Sequence, residues 1–225
     1  MKKIKIKGIN MNKIYLLFIV IFMYSLSFGQ DLKVFNFNNP EDLKGFVPAE
    51  TGDRGKVAIW EIVSDKTAPS GGKALFVIPD PKTNRGSTFN TFIYTKQKYK
   101  NVDVSVWVKA VKGREDQGGG ILWRAKDKDN YYVVRWNPLE DNFNLYYVKN
   151  AHRRLLKSVD FYADPKKWHK ISVVNKGSEI RCYFDGKLKI KYKTKIFKNE
   201  GFIGLWKKAD ASSEFDDLTV IEIEK

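Results

Sequence analysis

Two carboxylates stand two positions apart at Glu214-Phe-Asp216, close to the C-terminal end of the chain. Paired acids are what glycoside hydrolysis needs, one to protonate the leaving oxygen and one to serve as base or nucleophile. Along an extended strand the pair would sit about 6.6 Å apart at about 3.3 Å per residue. Separations of about 5–5.5 Å suit retention and about 6.5–9.5 Å suit inversion, so the spacing alone decides neither the outcome nor the role. The competing reading is a solvated or ion-paired strand end. Asp216 and Asp217 also offer a structural calcium site together with Glu41 or Asp42 of the N-terminal loop, since calcium gathers roughly six to eight oxygens from several segments. No other cofactor is expected.

The two histidines, His152 and His169, are seventeen residues apart and have no companions at metal-ligand spacing, which argues against zinc. His169, beside Trp168, reads as a strand residue with a satisfied ring, and a general base facing a cleft is the alternative. Cys182 is the only cysteine. Its neighbours Ile180 and Phe184 share its strand parity, so it reads as a buried, inert thiol, and the chain folds without an internal disulfide.

A second group of residues suits binding. A sugar cleft needs flat rings for the apolar side of a pyranose and fixed polar groups for its hydroxyls. Tyr131, Tyr146 and Trp206 supply the rings, Asn144 an amide, and Arg124 and Arg135 planar donors suited to carboxylate or sulfate. The bland alternative is that they finish a second core layer with satisfied polar tips. Lysines 187, 189, 191, 193 and 195 share one side of an extended segment, as on a solvated outer or edge strand that resists pairing with another chain.

Strands must position all of these groups, because period-two alternation runs through the chain and no helical stripe is sustained. Val102, Val104, Val106 and Val108 alternate with Asp103, Ser105, Trp107 and Lys109. About fourteen short strands separated by Gly, Asn, Asp and Pro clusters predict an all-β, two-sheet antiparallel β-sandwich of jelly-roll type. Phe184-Asp-Gly-Lys187 predicts a type I′ hairpin. A four-residue loop over 127–130 would pair Lys126 with Tyr131. It would place Ile121, Trp123, Ala125, Tyr132, Val134 and Trp136 on the core face, and Leu122, Arg124, Tyr131, Val133 and Arg135 on the other. The same parity buries Phe143, Leu145, Tyr147, Ile203 and Leu205, and turns Asn144, Tyr146, Val148, Gly204 and Trp206 outward.

The first residues carry lysines at 2, 3, 5, 7 and 13, then an apolar run from Ile14 to Tyr24 and small residues at Ser27 and Gly29. This order predicts a signal peptide over 1–29, too short to span a bilayer, with export to the periplasm or medium. Translation starts at Met1 or at Met11. Removing the leader takes away five lysines and no acid, so the charge falls from +15 to +10. Residues 30–225 suit a single domain. A basic exported protein attracts acidic polysaccharide, and nucleic acid is disfavoured because no reading motif is present.

The runs Gln117-Gly-Gly-Gly-Ile-Leu-Trp-Arg124, Asp129-Asn-Tyr-Tyr-Val-Val-Arg135, Asn137-Pro-Leu-Glu-Asp-Asn142, Trp168-His169, Asp185-Gly186, Gly204-Leu-Trp-Lys-Lys-Ala-Asp210 and Phe215-Asp-Asp-Leu-Thr-Val220 resemble the concanavalin-A-like jelly rolls of the 3-keto-disaccharide hydrolase family. The resemblance covers roughly residues 55–223 and implies an exported sandwich related to laminin-G-type and glucanase domains. It carries over no catalytic residue. A laminarinase-type enzyme of this fold uses E-x-D-x-x-E, which Glu214-Phe-Asp216 begins but Thr219 breaks. The expected function is therefore glycan binding by a monomer on a concave sheet. A glycoside or 3-keto-disaccharide hydrolase or lyase in the same cleft is the alternative, and a purely assembling surface protein the third reading.

Overall fold

The computed structural model describes residues 32–224, and the expected leader over 1–29 lies outside them. Fifteen strands form the described chain. The first eight are β1 (Leu32–Phe35), β2 (Phe46–Glu50), β3 (Ile59–Ser64), β4 (Lys73–Ile78), β5 (Phe89–Tyr99), β6 (Val102–Lys112), β7 (Gly119–Asp127) and β8 (Asn130–Asn137). The rest are β9 (Asn142–Lys149), β10 (His152–Asp160), β11 (His169–Lys176), β12 (Glu179–Phe184), β13 (Lys187–Lys193), β14 (Gly201–Lys208) and β15 (Ser212–Glu222).

They build two antiparallel sheets, as the alternation predicts. One has eight strands in the order β13-β12-β11-β6-β15-β4-β3, with β1 also paired to β15, and the other has seven in the order β10-β9-β8-β7-β14-β5-β2. Only two short 3-10 turns interrupt the strands, and no helix among the described residues is long and apolar enough to cross a membrane. The lysine-rich β13 is an edge strand, as expected.

The core lies between the sheets. Val104, Val106, Val108, Ile171 and Val173 of one face meet Ile121, Trp123, Val134, Trp136, Leu145 and Leu205 of the other, all fully buried. Burying each such side chain contributes about 2 kcal/mol. Cys182 sits in this core, where burial pushes its thiol up.

The 184–187 hairpin forms as predicted: Phe184 pairs with Lys187, and both Asp185 and Gly186 have positive φ. The 127–130 hairpin differs from expectation. Asp127 pairs directly with Asn130, leaving a two-residue turn, and the register shifts between Trp123 and Asp127. Arg124, at φ 48°, absorbs the excess as a bulge. The bulge inverts parity, so Ala125 belongs to the outer layer instead of the core. Every other parity assignment made for β7, β8, β9 and β14 holds except that of Arg124 itself.

The seven-stranded sheet curls strongly. β10 and β5 are five positions apart in its order, which in a flat sheet means roughly 24 Å at about 4.8 Å per strand. Yet Arg153 Cζ of β10 lies 4.8 Å from the ring centre of Phe89 on β5. Two side chains reaching toward each other do not cover 24 Å, so the sheet bends around them into a hollow.

Candidate functional site

The hollow of the seven-stranded sheet is lined by a second apolar cluster: Phe89, Ile93, Leu122, Tyr131, Val133, Tyr146, Val148 and Trp206. Its deepest part is closed. Trp206 Nε1 donates to Tyr131 Oη at 3.0 Å, and Tyr131 Oη shares a 2.8 Å hydrogen bond with Thr51 Oγ1. Burial drives the Tyr131 phenol pKa upward. The segment Glu50–Arg54 that follows β2 straps this corner. Thr51 Oγ1 donates to the Lys128 carbonyl at 2.8 Å, Gly52 N–H to Asp129 Oδ1 at 2.8 Å, and Arg54 Nη2 to the Ala151 carbonyl at 2.9 Å. Tyr131 and Trp206 are therefore a buried floor with satisfied tips, and not the open stacking platform expected from sequence.

Toward β8, β9 and β10 the hollow changes character. The Arg153 guanidinium lies 4.4 Å from the Tyr146 ring centre, 4.8 Å from Phe89 and 5.8 Å from Trp206, a cation-π arrangement on three rings. Its Nη1 has no hydrogen-bond partner. Asn144 donates Nδ2 to Tyr146 Oη at 2.9 Å, but its Oδ1 is unpartnered. Asn142 Oδ1, Asn137 Nδ2 and Arg135 Nε are unpartnered as well. Register places these groups together, because Asn137 pairs with Asn142, and Arg135 with Asn144. Buried polar atoms are nearly always paired, so five open ones on one patch mark a place where water or a ligand completes them.

Arg135 is otherwise closed. Its Nη1 donates to both Asp116 oxygens at 2.9 and 2.8 Å, and Nη2 to Glu140 Oε2 at 2.8 Å. Lys208 Nζ adds a 2.6 Å bond to Asp116 Oδ2. On the core side of the same strand as Lys208, the fully buried Lys207 donates to the Ala209 carbonyl at 2.5 Å. Burial brings its amine down to about 7.

Arg135, Asn144, Tyr146, Tyr131 and Trp206 thus share the hollow, as the parity argument requires. Arg124 does not. The bulge swings it to the end of the sandwich, where its guanidinium donates to the carbonyls of Lys100, Phe197 and Gly177. It clamps three loops.

The acidic candidates lie elsewhere. Glu214 and Asp216 belong to β15 of the eight-stranded sheet, not the hollow. Lys109 is ion-paired to both Glu214 and Asp65 with the Trp168 ring 5.0 Å away, and Trp168 Nε1 donates to Thr67 Oγ1 at 3.1 Å. Burial raises the Glu214 carboxyl against the pull of Lys109. Burial acts the same way on Asp65, but hydrogen bonds from Lys109 and Thr67 outweigh it and hold that carboxyl low. Asp216 accepts from Ser70 N–H, Ser70 Oγ and Asp217 N–H, each at 2.7 Å, so donors surround it where a cation would need acceptors. Glu41 is ion-paired to Lys44, and Asp42 accepts from Asn39 N–H. Among the described residues no group of three or more His, Cys, Asp or Glu is placed to hold a metal ion. His169 stacks on Phe184, with centroids 5.0 Å apart, and its ring nitrogens bond Asp185 Oδ2 at 2.7 Å and the Asp164 carbonyl at 2.8 Å. That is the satisfied strand ring: it packs on the core side against Trp136 and Phe184, whereas Glu214 pairs with Lys109 on the other face of the sheet.

Sequence reasoning missed Arg153, Asn142 and Asp116. Arg153 sits on the edge strand β10, whose sequence His-Arg-Arg-Leu-Leu-Lys-Ser-Val-Asp has no alternation to orient it, and it reads as one more surface cation.

Two sheets in this order, one curled around rings and amides, define a concanavalin-A-like jelly-roll sandwich. Solved structures of similar fold include the carbohydrate-binding module CBM66 from Bacillus subtilis, at 17% identity and TM-score 0.62 over 79% of this chain and 96% of that one. The Bacillus licheniformis beta-glucanase matches at 14% and 0.57 over 85% and 98%, and the cellulose-induced protein Cip1 at 12% and 0.62 over 85% and 97%. Among curated protein sequences none matches significantly. Residues 34–221 match the family model of the 3-keto-alpha-glucoside-1,2-lyase-like domain, and the chain belongs to that family.

Proposed function

We propose that the chain is an exported carbohydrate-binding protein that holds a glycan at the β8–β10 side of the hollow. The observation that carries this reading is the set of unpartnered polar atoms on Arg135, Asn137, Asn142, Asn144 and Arg153 beside the ring of Tyr146. A pyranose presents the matching surface, hydroxyls around its rim and C–H groups on its face. CBM66, a carbohydrate-binding module by name, shares the fold, which supports the class of ligand. Calorimetric titration with a panel of oligosaccharides tests it: binding that Arg153→Ala and Asn144→Ala both weaken supports the site, and binding indifferent to both refutes it.

The second reading is a hydrolase or lyase acting on glycosides or their 3-keto derivatives, favoured by family membership and by the Asp116–Arg135–Glu140–Lys208 cluster at the edge of the same hollow. Turnover of a 3-keto-glucoside that Glu140→Gln abolishes and Glu214→Gln leaves intact establishes it. No turnover with binding retained leaves the first reading alone.

A further inference from the structure

At the end of the sandwich, outside the ring cluster, lies a cavity of about 630 Å³ whose walls include Lys98, Lys100, Lys126, Lys198, Arg124 and Phe197. Glu200 is the single acid among the described residues that line it. An adjoining recess of about 340 Å³ shares Lys100, Arg124, Phe197 and Lys198 and adds Lys195. All five lysines are exposed.

Their charge is not neutralised from within. Lys44, Lys56, Lys109, Lys128 and Lys208 each have a carboxylate in ion-pair reach, whereas none of the five cavity lysines has one among the described residues. Arg124 is committed to three carbonyls, so it fixes the wall and adds a positive field without being free to swing. Phe197 packs edge-on against Tyr132 at 4.9 Å, so it is held in place as an apolar floor. Lys98 Nζ lies 5.2 Å from the ring of Phe202, which packs on the second apolar cluster.

We infer that this cavity is a second binding site, for the carboxylate or sulfate groups of an acidic polysaccharide. The inference rests on the carbohydrate reading above and names the class of glycan. Two connected recesses lined by five unpaired ammonium groups suit a chain that repeats its charge, and a single anion would leave most of them unused. Nucleic acid fits less well, because the ring in this lining, Phe197, is half-buried and packed against Tyr132, which leaves no platform on which successive bases could stack.

The test is titration of the full chain with polygalacturonate, dextran sulfate, neutral dextran and single-stranded DNA at low and high salt. Lys98→Glu with Lys198→Glu is expected to weaken binding of one or both acidic polysaccharides about tenfold. Lys187→Glu with Lys193→Glu on β13, an equal change of net charge, is expected to change it less than about twofold. Equal losses in the two double variants, binding no tighter than to neutral dextran, or tighter binding of DNA would each overturn the inference. Arg153→Ala separates the two sites. If it alone abolishes polyanion binding, the cavity is not the site. If neutral oligosaccharides bind through Arg153 while polyanions bind no better, this inference fails and the proposed function stands.

Discussion

On the outer face of the eight-stranded sheet Lys109 lies between Asp65 and Glu214 beside the Trp168 ring, while in the hollow of the other sheet Arg153 lies over Tyr146, Phe89 and Trp206. Both are cations against aromatic rings, and both neighbour residues that a search for chemistry would select. The difference is closure. Lys109 is ion-paired to two carboxylates and Trp168 donates to Thr67, whereas Arg153 Nη1, Asn144 Oδ1 and Asn142 Oδ1 have neither a hydrogen-bond nor an ion-pair partner among the described residues. Acids beside a tryptophan can be a finished ion-pair network, and such a network holds a fold together. Open valences on a preformed patch are what a ligand completes.

Four changes break or sharpen that comparison. The largest effect is expected from Arg135→Ala, which strips buried Asp116 of its bidentate partner and leaves only Lys208. Losing one member of a buried pair costs about 3–5 kcal/mol, read from urea unfolding. A loss below about 1 kcal/mol would mean Arg135 belongs with the open groups.

Next comes Lys207→Met, which removes an amine that belongs to neither face. Its folded pKa of about 7 lies below the unfolded value, about 10.4. Below pH 7 both states carry the proton and the burial penalty is complete. Between pH 7 and about 10.4 the unfolded state binds more protons than the folded one, so wild-type stability rises with pH across that window. The variant is expected to gain about 2 kcal/mol at pH 7 and to lose this rise, as thermal melts at several pH values would record.

Arg153→Ala should lower glycan affinity about tenfold, near 1.4 kcal/mol, with less than about 1 kcal/mol lost in stability. The opposite split, stability lost and affinity kept, would make Arg153 structural like Lys109. The smallest effect belongs to Glu214→Gln, which leaves Lys109 its second carboxylate. A stability change of about 1 kcal/mol and unchanged glycan affinity are expected.

Most of the fold was legible because alternation is a direct record of which side chains face the core. Ile121, Trp123, Val134 and Trp136, or Phe143 and Leu145, admit one orientation only, and their partners Arg135, Asn144, Tyr146 and Trp206 follow without further information. The shared face of these candidate residues was legible to the same extent. What alternation cannot carry is a break in itself: the positive φ at Arg124 inverts parity for one stretch, and nothing in Trp-Arg-Ala-Lys announces it. Nor does parity report curvature, which is why Arg153, five strands from Phe89 in sheet order, was missed. Glu214 and Asp216 drew notice by spacing along one strand, but a catalytic pair is made in three dimensions, and Lys109 and Ser70 already occupy them.

The six tryptophans offer the most direct test, since each indole N–H gives its own signal in a 1H–15N spectrum. Titration with a bound oligosaccharide is expected to shift the Trp206 indole, assigned through Trp206→Phe, and to leave Trp107 and Trp168 of the opposite face unmoved. A shift confined to Trp107 or Trp168, with Trp206 still, would place the sugar on the eight-stranded sheet and contradict the assignment of the hollow.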